Sequence, residues 1–179
     1  MAESRGFRRR EDGARPMAKL EVTGPVAVPA PREGFRLKSL ADDNDIRKVH
    51  RVMWRGFNHT GEPPEEGLAW RVQMQSGPNF RKDLNIVVEA PDGNFVAYAG
   101  LWYEPSNRIA YVEPVATDPD YRRMGLGRAA VLEGVRRCAE LGATVAYVGS
   151  GQPFYLAIGF RKLSRHVCWV KMNPGKGPE

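Results

Sequence analysis

The chain has 179 residues, 42% of them hydrophobic, which suits one domain with an appendage and supplies a real core. Its apolar runs fall far short of the ~18 residues a membrane-spanning helix needs, and Met1–Arg10 carries charge without an apolar stretch, so neither a span nor a signal peptide is read. With 27 Lys and Arg against 21 Asp and Glu the net charge is +6. This balance fits nucleic acid or an anionic small molecule, but the basic residues are spread out and no aromatic-basic module accompanies them, which speaks against nucleic acid. Cys138 and Cys168 are far apart, and His59 and His166 have no metal-ligand companions. The expectation is a reduced, cytoplasmic protein without disulfide or metal.

Residues 1–31 stand apart. An arginine run (Arg8, Arg9, Arg10) is followed by the apolar Met17–Val22 and then by Pro25, Pro29 and Pro31, a density that reads as an extended linker. A boundary near Pro31 leaves a main domain over 32–179. Phe35–Leu40 alternates like a strand. Asp42 or Asp43 is expected to cap a helix running to about Phe57, with Ile46, Val49, Met53 and Phe57 on one face. A Gly-Pro-acidic loop, Thr60–Glu66, leads to a short helix near Leu68–Gln75. Strands Leu84–Ala90 and Asn94–Tyr103 join through Pro91-Asp92-Gly93-Asn94, and Arg108–Thr117 completes a meander.

Leu126–Leu141 is the clearest helix, with Val131, Val135, Cys138 and Ala139 on its apolar face and Gly142 as its stop. Strand Thr144–Val148, a helical turn over Pro153–Ile158, and strands Phe160–Leu163 and His166–Met172 follow. This mixed order implies an α+β or α/β sheet with helices on both faces.

The segment that carries chemistry is Arg122-Arg123-Met124-Gly125-Leu126-Gly127-Arg128, between a strand and a helix start. Glycines there let backbone approach a ligand, and the N–H groups and dipole of the helix favour an anion such as a diphosphate. Gly125-x-Gly127-x-x-Ala130 also fits a dinucleotide fingerprint, but the next strand ends at Gly149 and Ser150 without the carboxylate that reading requires.

Arg-x-x-Gly-x-Gly after a strand resembles the pyrophosphate loop of the GNAT superfamily of N-acetyltransferases. Tyr155-Leu156-Ala157-Ile158-Gly159-Phe160 is similar to that family's Tyr-x-x-x-Gly-Phe element. Many members carry an Asn shortly before this Tyr, where this chain has Gly149-Ser150-Gly151-Gln152-Pro153. The resemblance implies a mixed, mostly antiparallel sheet of about six or seven strands, and acetyl-CoA as cosubstrate. It implies cofactor contacts from Val115, Ala116, Thr117 and Arg122–Arg128, including Met124 and Leu126, with Pro114 marking a break in the strand. Glu113 is the expected general base for a primary amine and Tyr155 the acid that protonates the leaving thiolate. Trp54, Phe57, Glu62 and Trp70 are the expected acceptor contacts, since carboxylates and aromatics suit a cationic amine. The contrasting expectation is a silent acyl-CoA-binding domain.

Ser4-Arg5-Gly6-Phe7-Arg8-Arg9 resembles Ala157-Ile158-Gly159-Phe160-Arg161-Lys162, and an apolar strand candidate follows each. Such self-similarity is expected of a tandem GNAT protein, with residues 3–22 as the tail of a preceding repeat. A strand there must pair with an edge of this domain or of a second copy, which leaves a homodimer open.

Overall fold

A computed structural model of the protein describes residues 2–171, which fall into two compact units: residues 21–147 form one, and residues up to 20 together with those from 148 onward form the other. The first unit is a layered α+β structure. Its strands are β2 (Arg36–Ser39), β3 (Asn85–Glu89), β4 (Phe95–Glu104), β5 (Ile109–Thr117) and β6 (Val145–Val148), adjacent in that order. β2 to β5 pair antiparallel and β5–β6 is parallel. Together with β1 (Phe7–Glu21) and β7 (Arg161–Lys171), the described residues hold seven strands, mostly antiparallel, as the resemblance implies.

The β3–β4 turn forms where Asp92 and Gly93 occur. Gly93 takes a φ of 82° and Asp92 Oδ1 accepts the Asn94 N–H at 3.0 Å. Helix α1 (Ile46–Gly56) starts later than the sequence suggests, because its cap is Asp45, which accepts from the N–H groups of Arg47 and Lys48. Asp42 is engaged elsewhere, accepting from the N–H and hydroxyl of Ser39. Val49, Val52 and Met53 of α1 pack on Val87, Tyr98 and Ala116. Helix α3 (Leu126–Glu140) covers the opposite face: Gly134 lies against Leu101, which is three residues from Tyr98 and so points the other way. Helix α2 (Gly67–Gln75) packs beside α1.

In the second unit β1 pairs antiparallel with β7, from Phe7↔Lys171 to Lys19↔Arg161. The strand therefore starts well before Met17, and the two strands expected at the end of the chain are one continuous β7; Met172 lies outside the described residues. The self-similar segments fold alike. Gly6 and Gly159 both have positive φ (79° and 107°), each ends a helical turn, and each leads through a Phe into β1 or β7. Helix α4 (Pro153–Ala157) belongs to this unit.

Candidate active site

β5 is where the sheet opens. Ala99 pairs with Val115 and Leu101 with Val112, so Gly100 alone opposes both Glu113 and Pro114, a β-bulge at the proline. Trp102 Nε1 donates to Glu113 O at 3.0 Å and fixes the bulge. Pairing with β6 runs from Ile109↔Val145 to Tyr111↔Tyr147, so it ends just before the bulge. Asp118 N–H donates to Val96 O at 2.9 Å. By alternation Ala116 N–H also faces β4, while the N–H groups of Val115 and Thr117 face away from it. Two backbone donors thus line the opened side, where a thioester carbonyl and an extended chain can be bound.

Beyond Thr117 the chain forms the anion cradle. Arg123 and Gly125 both have positive φ (61° and 80°), and Gly125 is the residue preceding α3. Such a bend gathers N–H groups into a concave nest. Ala129 N–H makes the first intrahelical bond, to Gly125 O at 3.0 Å, and no side chain caps the end. The N–H groups of Leu126, Gly127 and Arg128 therefore lie at an open helix start. A Cβ built on Gly125 meets nothing within 4 Å, so space for a ligand lies directly above the glycine. Arg123 and Arg128 are exposed beside it. This backbone set fits a diphosphate.

Arg122 does something else. Its guanidinium donates to Thr117 O at 3.3 Å, Gly56 O at 3.0 Å and Asn58 Oδ1 at 2.7 Å. It caps the C-terminus of α1 and ties it to the cradle. Gly56 makes that approach practicable, since a Cβ there would stand 2.6 Å from Ala116 Cβ and 2.9 Å from Thr117 N. Asp118 completes the junction. It is fully buried, receives Arg55 through two nitrogens (2.5 and 3.0 Å) and Arg51 at 3.3 Å, and accepts the Asp120 N–H at 3.2 Å. Burial pushes its carboxyl up, yet Arg55, the Asp120 N–H and Arg51 together hold it below the usual range.

The expected acceptor residues are spread over α1, α2 and the loop between them. Trp54 stacks on His59 at 4.2 Å and donates to Thr60 O. Phe57 is 52% exposed and Trp70 65% exposed. Glu62 is exposed near Arg55, and Glu65 is paired with Arg47. Trp54 and Phe57 lie at the α1 end that Arg122 ties to the cradle; Trp70 is on the separate α2. Glu113 is exposed beside the bulge. Tyr155 lies in the other unit, on α4, buried and flanked edge-on by Phe154 and Phe160 at 5.0 and 5.8 Å.

Sequence reasoning missed Arg55, Gly56 and Asp118. Asp118-Pro119 after a strand is a readable cap signal, whereas its arginine partners lie 63 and 67 residues away.

The family described as "Acetyltransferase (GNAT) family" matches residues 45–160, more than half of the chain. A glucosamine 6-phosphate N-acetyltransferase of Trypanosoma brucei brucei is 28% identical over 120 residues, 60% of this chain and 79% of that one. A mycothiol acetyltransferase of Saccharomonospora viridis is 27% identical over 158 residues, 80% of this chain and 52% of that one. Among solved structures, a tandem GNAT protein from the clavulanic acid biosynthesis pathway superposes with a TM-score of 0.71 at 16% identity, over 98% of this chain and 58% of that chain. The chain thus spans only about half of two of these three proteins. It belongs to the GNAT family of acetyltransferases.

Proposed function

We propose that the protein transfers an acetyl group from acetyl-CoA to a primary amine, directly, in a ternary complex. The observation that carries the proposal is the open α3 start below Gly125, placed immediately after a strand whose backbone donors face an opened sheet. Diphosphate on the cradle would lay the pantetheine arm along Val115–Thr117. One of the outward N–H groups, at Val115 or Thr117, would then polarise the thioester carbonyl.

A lysine-type amine has a pKa of ~10.4, so the nucleophile must lose a proton before attack. Glu113, exposed beside the bulge, is the base in this reading, directly or through one water. The amine nitrogen bonds to the acetyl carbon, the C–S bond breaks, and the thiolate takes a proton for which Tyr155 is the proposed donor. The glucosamine 6-phosphate relative makes an amino sugar the first acceptor to try.

Two variants test these roles against a silent acyl-CoA-binding domain. Tyr155→Phe and Glu113→Gln should each lower kcat by about 100-fold, with acetyl-CoA affinity within about twofold of wild type. Initial rates over about pH 6 to 9 with isothermal titration of CoA provide the measurement. Full turnover of both variants would remove the acid–base assignment. Absence of turnover with every amine, CoA binding intact, would favour the silent domain.

A further inference from the structure

We infer that Arg71 binds an anionic group, phosphate or carboxylate, carried by the acceptor, so that the natural acceptor is an amine with a negative charge a few bonds from its nitrogen. The inference rests on the acetyl-transfer reading above.

Among the described residues, Arg71 and Arg128 are the arginines of this unit's helices and strands that have no ion pair, and Arg128 is exposed at the start of α3 whereas Arg71 is not. Arg36, Arg51, Arg55, Arg136 and Arg137 each pair with a carboxylate. Arg71 is half-buried, yet among the described residues no carboxylate lies within ion-pair distance of it. Its hydrogen bond is a long one, Nε to His50 Nδ1 at 3.4 Å, with His50 Nε2 already engaged by Pro64 O at 3.0 Å. The position is imposed by the helix. Gly67, Arg71 and Gln75 recur at four-residue steps on one face of α2. Gly67 lies against the His50 ring and Gln75 exchanges hydrogen bonds with Asn44, so the face between them is turned toward α1.

Burial pushes the guanidinium pKa down, and the nearby Tyr98 phenol is the one group that opposes the shift. Such a cation carries a desolvation cost that no carboxylate among the described residues offsets. Among the described residues its two terminal nitrogens have no protein acceptor, and no fully buried side-chain nitrogen lacks one. Nη1 and Nη2 therefore remain reachable from solvent, and a planar fork of this kind matches a phosphate or carboxylate with two parallel bonds.

The seam is next to the place of transfer. Tyr98 pairs with Ala116, its hydroxyl donates to Asn85 Oδ1, and Asn85 pairs with Gly100. A Cβ on Gly100 would stand 2.9 Å from Asn85 Oδ1 and 3.0 Å from Glu113 O. Tyr98, which lies near Arg71, and Asn85 are both buried and lead to the bulge on the α1 face of the sheet. On this assignment the acceptor's amine is at the bulge and its anionic end meets Arg71.

Three amines of matched spacing, phosphoethanolamine, β-alanine and ethanolamine, supply the test with the full-length protein. The anionic members should show a KM about 10- to 100-fold below that of ethanolamine, and whichever is lower identifies phosphate or carboxylate as the preferred group. Arg71→Met should erase the preference while leaving the ethanolamine KM and the acetyl-CoA Kd unchanged; Arg71→Lys should keep part of it. An equal preference in Arg71→Met, no preference in wild type, or a weaker acetyl-CoA affinity in Arg71→Met would each overturn the inference. If none of the three amines reacts, inorganic phosphate is titrated into the acetyl-CoA-saturated protein by calorimetry. Binding that Arg71→Met abolishes supports the inference, and no binding overturns it. Failure of acetyl-CoA itself to bind removes the transfer reading instead, and the same phosphate titration without acetyl-CoA then decides Arg71 alone.

Discussion

Gly125→Val is expected to weaken CoA binding by about 1000-fold while the protein still folds. Valine would bring its side chain into the space above residue 125, where nothing now stands within 4 Å and where the diphosphate is assigned. Hydrogen bonds to charged groups contribute about 1.5–3 kcal/mol each, so loss of two or three N–H contacts at α3 accounts for the figure. A second cost is conformational, because φ is 80° and a β-branched residue pays roughly 1–3 kcal/mol there. Gly125→Asn separates the two effects: Asn tolerates the left-handed region but still fills the cradle. Both variants should lose affinity by calorimetry, and only Val should also lose Tm. Undiminished affinity in folded Gly125→Asn would mean that the diphosphate is held elsewhere.

The second large effect is on stability. Asp118→Asn removes a fully buried carboxylate and leaves Arg51 and Arg55 without their shared anion. Breaking such a pair costs about 3–5 kcal/mol, or roughly 6–20 °C in Tm for a chain of this size. CoA affinity should fall as well, since Asp118 lies between β5 and the cradle and anchors the α1 end. The pH dependence has a definite sign. The folded pKa is depressed, so the contribution is fully present above the unfolded value of ~3.9 and is lost as pH falls through the folded value. Wild type should therefore lose this contribution only in acid, and Asp118→Asn should flatten that part of the profile. A Tm within about 2 °C of wild type at neutral pH would show that the junction contributes little.

What was legible in the sequence was whatever chemistry is local along the chain. The β3–β4 hairpin follows from four consecutive turn residues, α3 from its apolar face, and the cradle from glycines next to a helix start. Pro114 pointed to a break in β5 because proline cannot serve the ladder on both sides. What was hidden depends on partners far away. β1 alternates poorly, carries Arg8–Arg10 and Pro16, and becomes a strand through its pairing with β7 more than 140 residues later. Arg122 reads as a phosphate ligand by position, yet its three acceptors, two of them at the end of α1, commit it to holding that helix. The α1 cap fell to Asp45 because Asp42 closes the turn after β2. Arg71 left no signal, since a missing carboxylate can be noticed only once the neighbours are in place.

The most direct measurement is the amide NMR spectrum of the protein titrated with acetyl-CoA. The N–H signals of Leu126, Gly127 and Arg128 should move most and downfield, as each takes up a charged acceptor. Val115 or Thr117 should follow, and adding diphosphate-free fragments of the cosubstrate should leave the first group unmoved. Saturable binding of acetyl-CoA that leaves the Leu126–Arg128 amides in place would contradict the central claim.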